Sequence, residues 1–320
     1  MDTSKSFLKI IVILIILLFR SNYCILQENP RGAYMGQKPP GMTPEIFSPG
    51  FISTDESELN SVFTPDMTEF YFASHDGEKY FIKYTKQVNG IWTTPETAPF
   101  SGIYSDVDIS ISHDGKRCFF GSNRPVESGG KKLVDRNNLW MMQRTGDWWG
   151  EPVHLKYGIN AGDHQNYPCS AENGNLYFQS IREGNFGESN TDIHMAEWKN
   201  GRFLEPVNLG PNINSIYNEG DVLIAPDESW IIISVSGSPE CIGSGDFFIS
   251  FRNEDGSWTK RVHMGEEFNT IYIEFCPMIS PDGKYLFYSS KRTFEPRKCD
   301  IYWVDIKVIE KYRPRRNNDN

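Results

Sequence analysis

The sequence predicts an all-β fold: a single five-bladed β-propeller of four-stranded blades, its ring closed by the N-terminal strand. Three observations predict it. A turn-centred segment recurs five times at blade-length spacing. Aromatic residues make up 14% of the 320-residue chain, with 27 glycines and 19 prolines to punctuate the strands they build. The last repeat lacks an outer strand, and a matching segment stands near the N-terminus.

The five segments are VFTPDMTEFYFAS, ISISHDGKRCFFGS, YPCSAENGNLYFQS, VLIAPDESWIIISV and PMISPDGKYLFYSS. They align Thr64, Ser112, Ser170, Ala225 and Ser280, at spacings of 48, 58, 55 and 55 residues. In each unit the inner strand runs into this turn. The second strand is the aromatic run FYF, CFF, LYF, III or LFY. The third includes YFIKYT, NLWMMQ, DIHMAE, DFFISF or DIYWVD. Hairpin turns follow in four units: NG before Trp92, GD before Trp148, NG before Arg202 and DG before Ser257. The outer strand is then WTTPETAPF, WWGEPVHL, RFLEPVNL or SWTKRVHM. The fifth unit ends after its third strand, so the segment near Glu45–Phe51 is expected to supply the fourth and remove the open edges.

The S-P-D-G-K-x-x-x-F-x-S-x-R pattern resembles the WD-repeat-like propeller unit of the TolB-like bacterial family, over roughly Thr43 to Tyr312. The resemblance implies the propeller fold. It implies no role in the Tol–Pal system, because nothing here corresponds to TolB's separate α/β domain. Propellers host many functions, so function must come from the site.

Outside residues 43–312, four features matter. Residues 1–24 read as a signal peptide or N-terminal anchor: Lys5 and Lys9 accompany an apolar run, Phe7–Phe19, too short for a comfortable membrane span. Cys24 is a weak match to a lipidation site. Residues 25–42 read as a linker and 313–320 as a polar tail. Localisation is therefore expected to be exported (periplasmic, cell-surface or secreted), with membrane contact only through an uncleaved or lipidated N-terminus. The net charge is −10, which disfavours nucleic acid as a partner. No CxxC pair occurs among the six cysteines, so a structural zinc site is not expected. Cys241 and Cys299 fall in neighbouring loops and are expected to lie close, either bonded or free. No cofactor is expected, and no metal ligand set can be specified.

The long, irregular loops between second and third strands share one face with the connections from outer to inner strand. A site is expected there, at the channel mouth. Six residues before each turn position lie Glu58, Asp106, His164, Glu219 and Glu274. Twelve after it lie Asp76, Arg124, Arg182, Gly237 and Arg292. Read as cross-strand neighbours, Asp106 with Arg124 and Glu274 with Arg292 are structural pairs. Glu58, opposite Asp76, and Glu219, opposite Gly237, lack the repeat's arginine, while in blade three His164 stands opposite Arg182 with Asp163 beside it; Glu58, Asp76, Asp163, His164, Glu219 and Asp221 become the candidate ligand-binding residues. The leading functional reading is an exported, non-enzymatic module binding a protein, peptide or glycan on the long-loop face. The alternative is a glycoside hydrolase or lyase using Glu58 and Glu219, since glycoside hydrolysis needs two suitably spaced carboxyls. No other nucleophile–base motif, HExxH or P-loop appears.

Overall fold

The computed structural model describes residues 28–127, 129–133, 136–156, 158–187, 190–291 and 298–314. The apolar N-terminal run, Cys24, Arg292 and residues 315–320 lie outside them. Five antiparallel sheets form the five blades. The inner strands are Glu58–Phe63, Asp106–Ile111, His164–Ser170, Asn218–Ile224 and Glu274–Ile279. The second strands are Glu69–His75, Arg117–Ser122, Leu176–Ile181, Trp230–Ser236 and Tyr285–Ser290. The third are Tyr80–Val88, Asn138–Thr145, Asp192–Ala196, Asp246–Phe251 and Asp300–Asp305. Outer strands are two residues each: Glu96–Thr97, Val153–His154, Val207–Asn208 and Val262–His263.

The ring closes as expected. Glu45–Ile46 pairs with the third strand of blade five, Glu45 facing Trp303 and Ile46 facing Tyr302. This completes the fifth sheet with chain from the other end of the molecule and covers an edge that would otherwise template aggregation.

The segment expected as a linker, residues 25–42, is packed between Pro30 and Met35. Arg31 bridges Ile91, the Trp92 amide donates to the Pro30 carbonyl, and Tyr34 and Met35 are buried. Tyr34 packs against Phe63, Tyr285, Phe287 and Trp303, and its hydroxyl donates to Asp282 Oδ1 at 2.6 Å. It therefore joins blades one and five on the short-turn face.

Every inner strand carries a bulge at the same place. The residues with positive φ are Asn60, Asp108, Tyr167, Asp221 and Cys276, each at a register shift against the second strand. A left-handed residue inserts one extra position and turns its side chain out of the alternation. Asparagine and aspartate tolerate that conformation best, and three of the five blades use them.

Candidate functional site

The bulge has a direct effect on register. In blade one Phe63 faces Phe70, but above the bulge Glu58 faces Ser74. Asp106 likewise faces Ser122, Glu219 faces Val235 and Glu274 faces Ser290. The expected opposition of Glu58 with Asp76 is displaced by two residues, one from the position of the turn and one from the bulge. Blade three differs again, because its turn is one residue shorter: the Ala171 amide bonds Asn175, where Thr64 bonds Glu69. The residue equivalent to Glu58 is Gln165, which faces Ser180, and not His164.

The acids at this ring position form a repeated clamp. The Thr54 hydroxyl and amide donate to the Glu58 carboxylate at 2.6 and 3.1 Å. Ser215 does the same to Glu219 at 2.6 and 2.9 Å, and Thr270 to Glu274 at 2.8 and 2.8 Å. In blade two the Ser101 hydroxyl donates to Asp106 at 2.8 Å. Each acid ties the loop entering its blade to the start of the inner strand. Hydrogen bonds to a charged acceptor contribute about 1.5–3 kcal/mol each.

Arg124 reaches Asp106 by folding back past the strand end, its Nη2 donating to Oδ1 at 2.8 Å. Arg292, the expected partner of Glu274, lies outside the described residues. Arg182 finds no acid in the ring and donates to the carbonyls of Gly158 and Ile159. Glu219, expected to lack an arginine, has one. Arg261 Nη1 donates to its Oε1 at 2.8 Å, from 42 residues along the chain rather than from the hairpin. Glu58 and Glu219 are both fully buried. Burial raises both carboxyls above their ordinary range, against the lowering effect of the Thr54 and Ser215 hydrogen bonds respectively.

The remaining candidates are dispersed. Asp76 is exposed and accepts from the Glu78 and Lys79 amides at 2.9 Å each, which closes its own turn. Asp163 is solvent-exposed, 3.7 Å from Arg136. His164 is half-buried between Asn137 and Asn166, and burial lowers its pKa. Asp221 alone reaches the channel axis, and there it meets residues the sequence reading passed over.

That axial cluster is built from the bulge residues. Tyr167 Oη lies 2.7 Å from Cys276 Sγ, across non-adjacent blades, and the Cys276 amide donates to Asp221 Oδ2 at 3.1 Å. Burial and then the Asp221 charge push the Asp108 carboxyl well above its ordinary range. Burial pushes Asp221 up to about 7. Tyr167 faces the Asp108 carboxylate with its amide and hydroxyl, which lowers Asp108 against those effects, and Asn60 Oδ1 finds no hydrogen-bond partner. The available signal was a polar residue in mid-strand, four positions before the turn, in segments such as VDISI and GDVLI.

Of the two states open to Cys241 and Cys299, the structure has the unbonded one. Cys241 and Cys299 are both free thiols, and Cys241 Sγ donates to the Val235 carbonyl at 3.2 Å. Among the described residues, no helix is long and apolar enough to cross a membrane, and no group of three or more His, Cys, Asp or Glu is placed to hold a metal ion.

The long-loop face has a second repeated feature. The connections entering blades two, four and five carry the dipeptide Ile-Tyr at Ile103, Ile216 and Ile271. These isoleucines are 81%, 63% and 63% exposed. Ile216 and Ile271 directly follow the clamp residues Ser215 and Thr270. The buried carboxylate holds the clamp residue inward, and its neighbour is turned to solvent. Tyr80, Val126, Phe186 and Ile242 are also exposed on this face. A cleft of about 300 Å³, lined by Tyr80, Ile103 and Tyr104 among others, opens over the loops of blade two, flanked by blades one and three.

No family model matches the chain, and no curated protein matches it in sequence. Solved structures match it in fold. A TolB-type protein of Agrobacterium tumefaciens aligns with a TM-score of 0.53 and 16% identity, over 80% of this chain and 79% of that one. A glycoside hydrolase aligns with a TM-score of 0.50 and 11% identity, over 86% and 92%. TolB from Acinetobacter baumannii aligns at 0.47 and 13%, over 78% of this chain and 54% of that one. The blades and their closure define a five-bladed β-propeller module. Its fold is TolB-like, as the repeat implied, and at these identities the likeness is one of fold.

Proposed function

We propose that this chain is an exported binding module whose long-loop face docks a polypeptide partner. The observation that carries the reading is the set of exposed isoleucines on this face, Ile103, Ile216 and Ile271, the last two directly beside buried clamps. Large apolar side chains gathered on one face, rather than scattered singly, mark an interaction surface. Fixing them beforehand reduces the ordering cost of association. Export rests on the apolar N-terminal run with its lysines. The hydrolase reading loses its residues, since Glu58 and Glu219 are buried and engaged in holding loops. The five candidate acids and His164 support the face and channel, with Asp163 and His164 at its rim.

The test is selection of random displayed peptides on the immobilised protein, with a glycan array in parallel. Selected peptides should bind the Ile103→Ser/Ile216→Ser/Ile271→Ser variant at least ~10-fold more weakly, because three apolar anchors are lost. Peptides that bind this variant as well as the parent, or ligands drawn only from the glycan array, would overturn the reading.

A further inference from the structure

We infer that the cleft over the loops of blade two takes an acidic segment of the partner polypeptide, a deeper claim that rests on the docking reading above. Its walls carry Lys79, Lys132 and Arg136, and among its described lining residues one, Glu78, is acidic. This is a basic spot on a chain of net charge −10. Neither contact that these cations make is a buried, close ion pair. Lys79 Nζ donates to the Gly102 carbonyl, which fixes the ammonium at the rim without cancelling its charge. Arg136 has Asp163 3.7 Å away, with that carboxylate out in solvent. Asn123 and Asn137 add side-chain amides.

At about 300 Å³ the cleft sits at the small end of ligand sites, enough for a few side chains rather than a protein surface. Its occupant is set by what borders it. Ile103, the most exposed of the three isoleucines, is itself a lining residue, and Tyr80 is both lining and exposed. Apolar rim and cationic walls are thus one surface. A polypeptide with an apolar side chain beside acidic ones covers both, whereas an acidic glycan would satisfy the cations and leave Ile103 in water. Charge complementarity of this kind chiefly governs specificity and association rate, and it weakens with salt.

The test uses fluorescence anisotropy with a labelled peptide, Glu-Leu-Glu-Gly repeated three times, its Lys-Leu-Lys-Gly counterpart, and labelled hexagalacturonate. Variants are Lys132→Glu with Arg136→Glu, and Lys116→Glu as a control. Lys116 lies in blade two on the opposite, short-turn face and is exposed. The acidic peptide should bind, weaken at least ~10-fold in the cleft variant and at higher salt, and change less than ~2-fold in the control. The lysine peptide should not bind. Absence of acidic-peptide binding, equal weakening by Lys116→Glu, or cleft-dependent binding of hexagalacturonate alone would overturn the inference. If display-selected peptides lose affinity in the triple isoleucine variant but not in the cleft variant, the cleft assignment fails while the docking face stands. Thermal melts of each variant confirm that folding is intact.

Discussion

Replacing Asp221 with asparagine should stabilise the protein, and only above a definable pH. Asp221 is half-buried where the inner strands converge, and loss of solvent there raises its carboxyl from 3.8 to about 7. Below pH ~4 the carboxyl is protonated in both the folded and unfolded states, and it carries no penalty. Between pH ~4 and ~7 the unfolded chain ionises while the folded one resists. Stability from this group is therefore lost as pH rises through that window and stays lost above it. A rise from 3.8 to about 7 corresponds to about 4 kcal/mol. Asparagine keeps an oxygen to accept from the Cys276 amide. It also removes the Asp221 charge that raises Asp108. The Asp221→Asn variant should thus match the parent near pH 4 and exceed it by roughly 2–4 kcal/mol at pH 8. Acids with lowered values, such as Asp66, Asp114 and Asp282, act in the opposite sense at low pH. They are common to both proteins and cancel in the difference. The assay is urea denaturation of both proteins from pH 4.5 to 8.5. A variant less stable than the parent at pH 8, or a difference that does not change with pH, would refute the reasoning.

Other expectations follow from the same geometry. Arg261→Ala should cost about 3–5 kcal/mol by leaving the buried Glu219 carboxylate without its counter-charge, measured by denaturant midpoint; a cost below ~1 kcal/mol would show the pair to be dispensable. Tyr34→Ala should cost about 3–5 kcal/mol, because the ring fills the seam between blades one and five, and a melt unchanged from the parent would contradict that packing. In a Cys24→Ser background, reductant should leave the melting temperature unchanged, since Cys241 and Cys299 are free; non-reduced peptide mapping that finds them linked would contradict the structure.

The fold was legible because each level of the sequence agreed with the next. The same turn recurs in five blades, hairpin turns separate third from outer strands, and Glu45–Ile46 answers the strand missing from blade five. The candidate site was less legible, for three physical reasons. Alignment on the turn hid the bulge at Asn60, Asp108, Tyr167, Asp221 and Cys276, which changes the register above it. The turn of blade three is one residue shorter, so Gln165 rather than His164 occupies the clamp position. Arg261 reaches Glu219 through the tertiary fold, a pairing that no hairpin logic contains. The axial meeting of Asp108 with Asp221, Tyr167 and Cys276 likewise depends on five strands converging, which no single repeat displays.

The claim most in need of a direct test is that the long-loop face is where the partner sits. A photo-crosslinking residue placed at position 103, 216 or 271 reports on that face, and one at 116 or 255, in exposed short turns, reports on the other. Each protein is mixed with a display-selected peptide, irradiated and mapped by mass spectrometry. The account predicts crosslinks from the first three positions and none from the last two. Crosslinks from 116 or 255 with none from the isoleucine positions would contradict it.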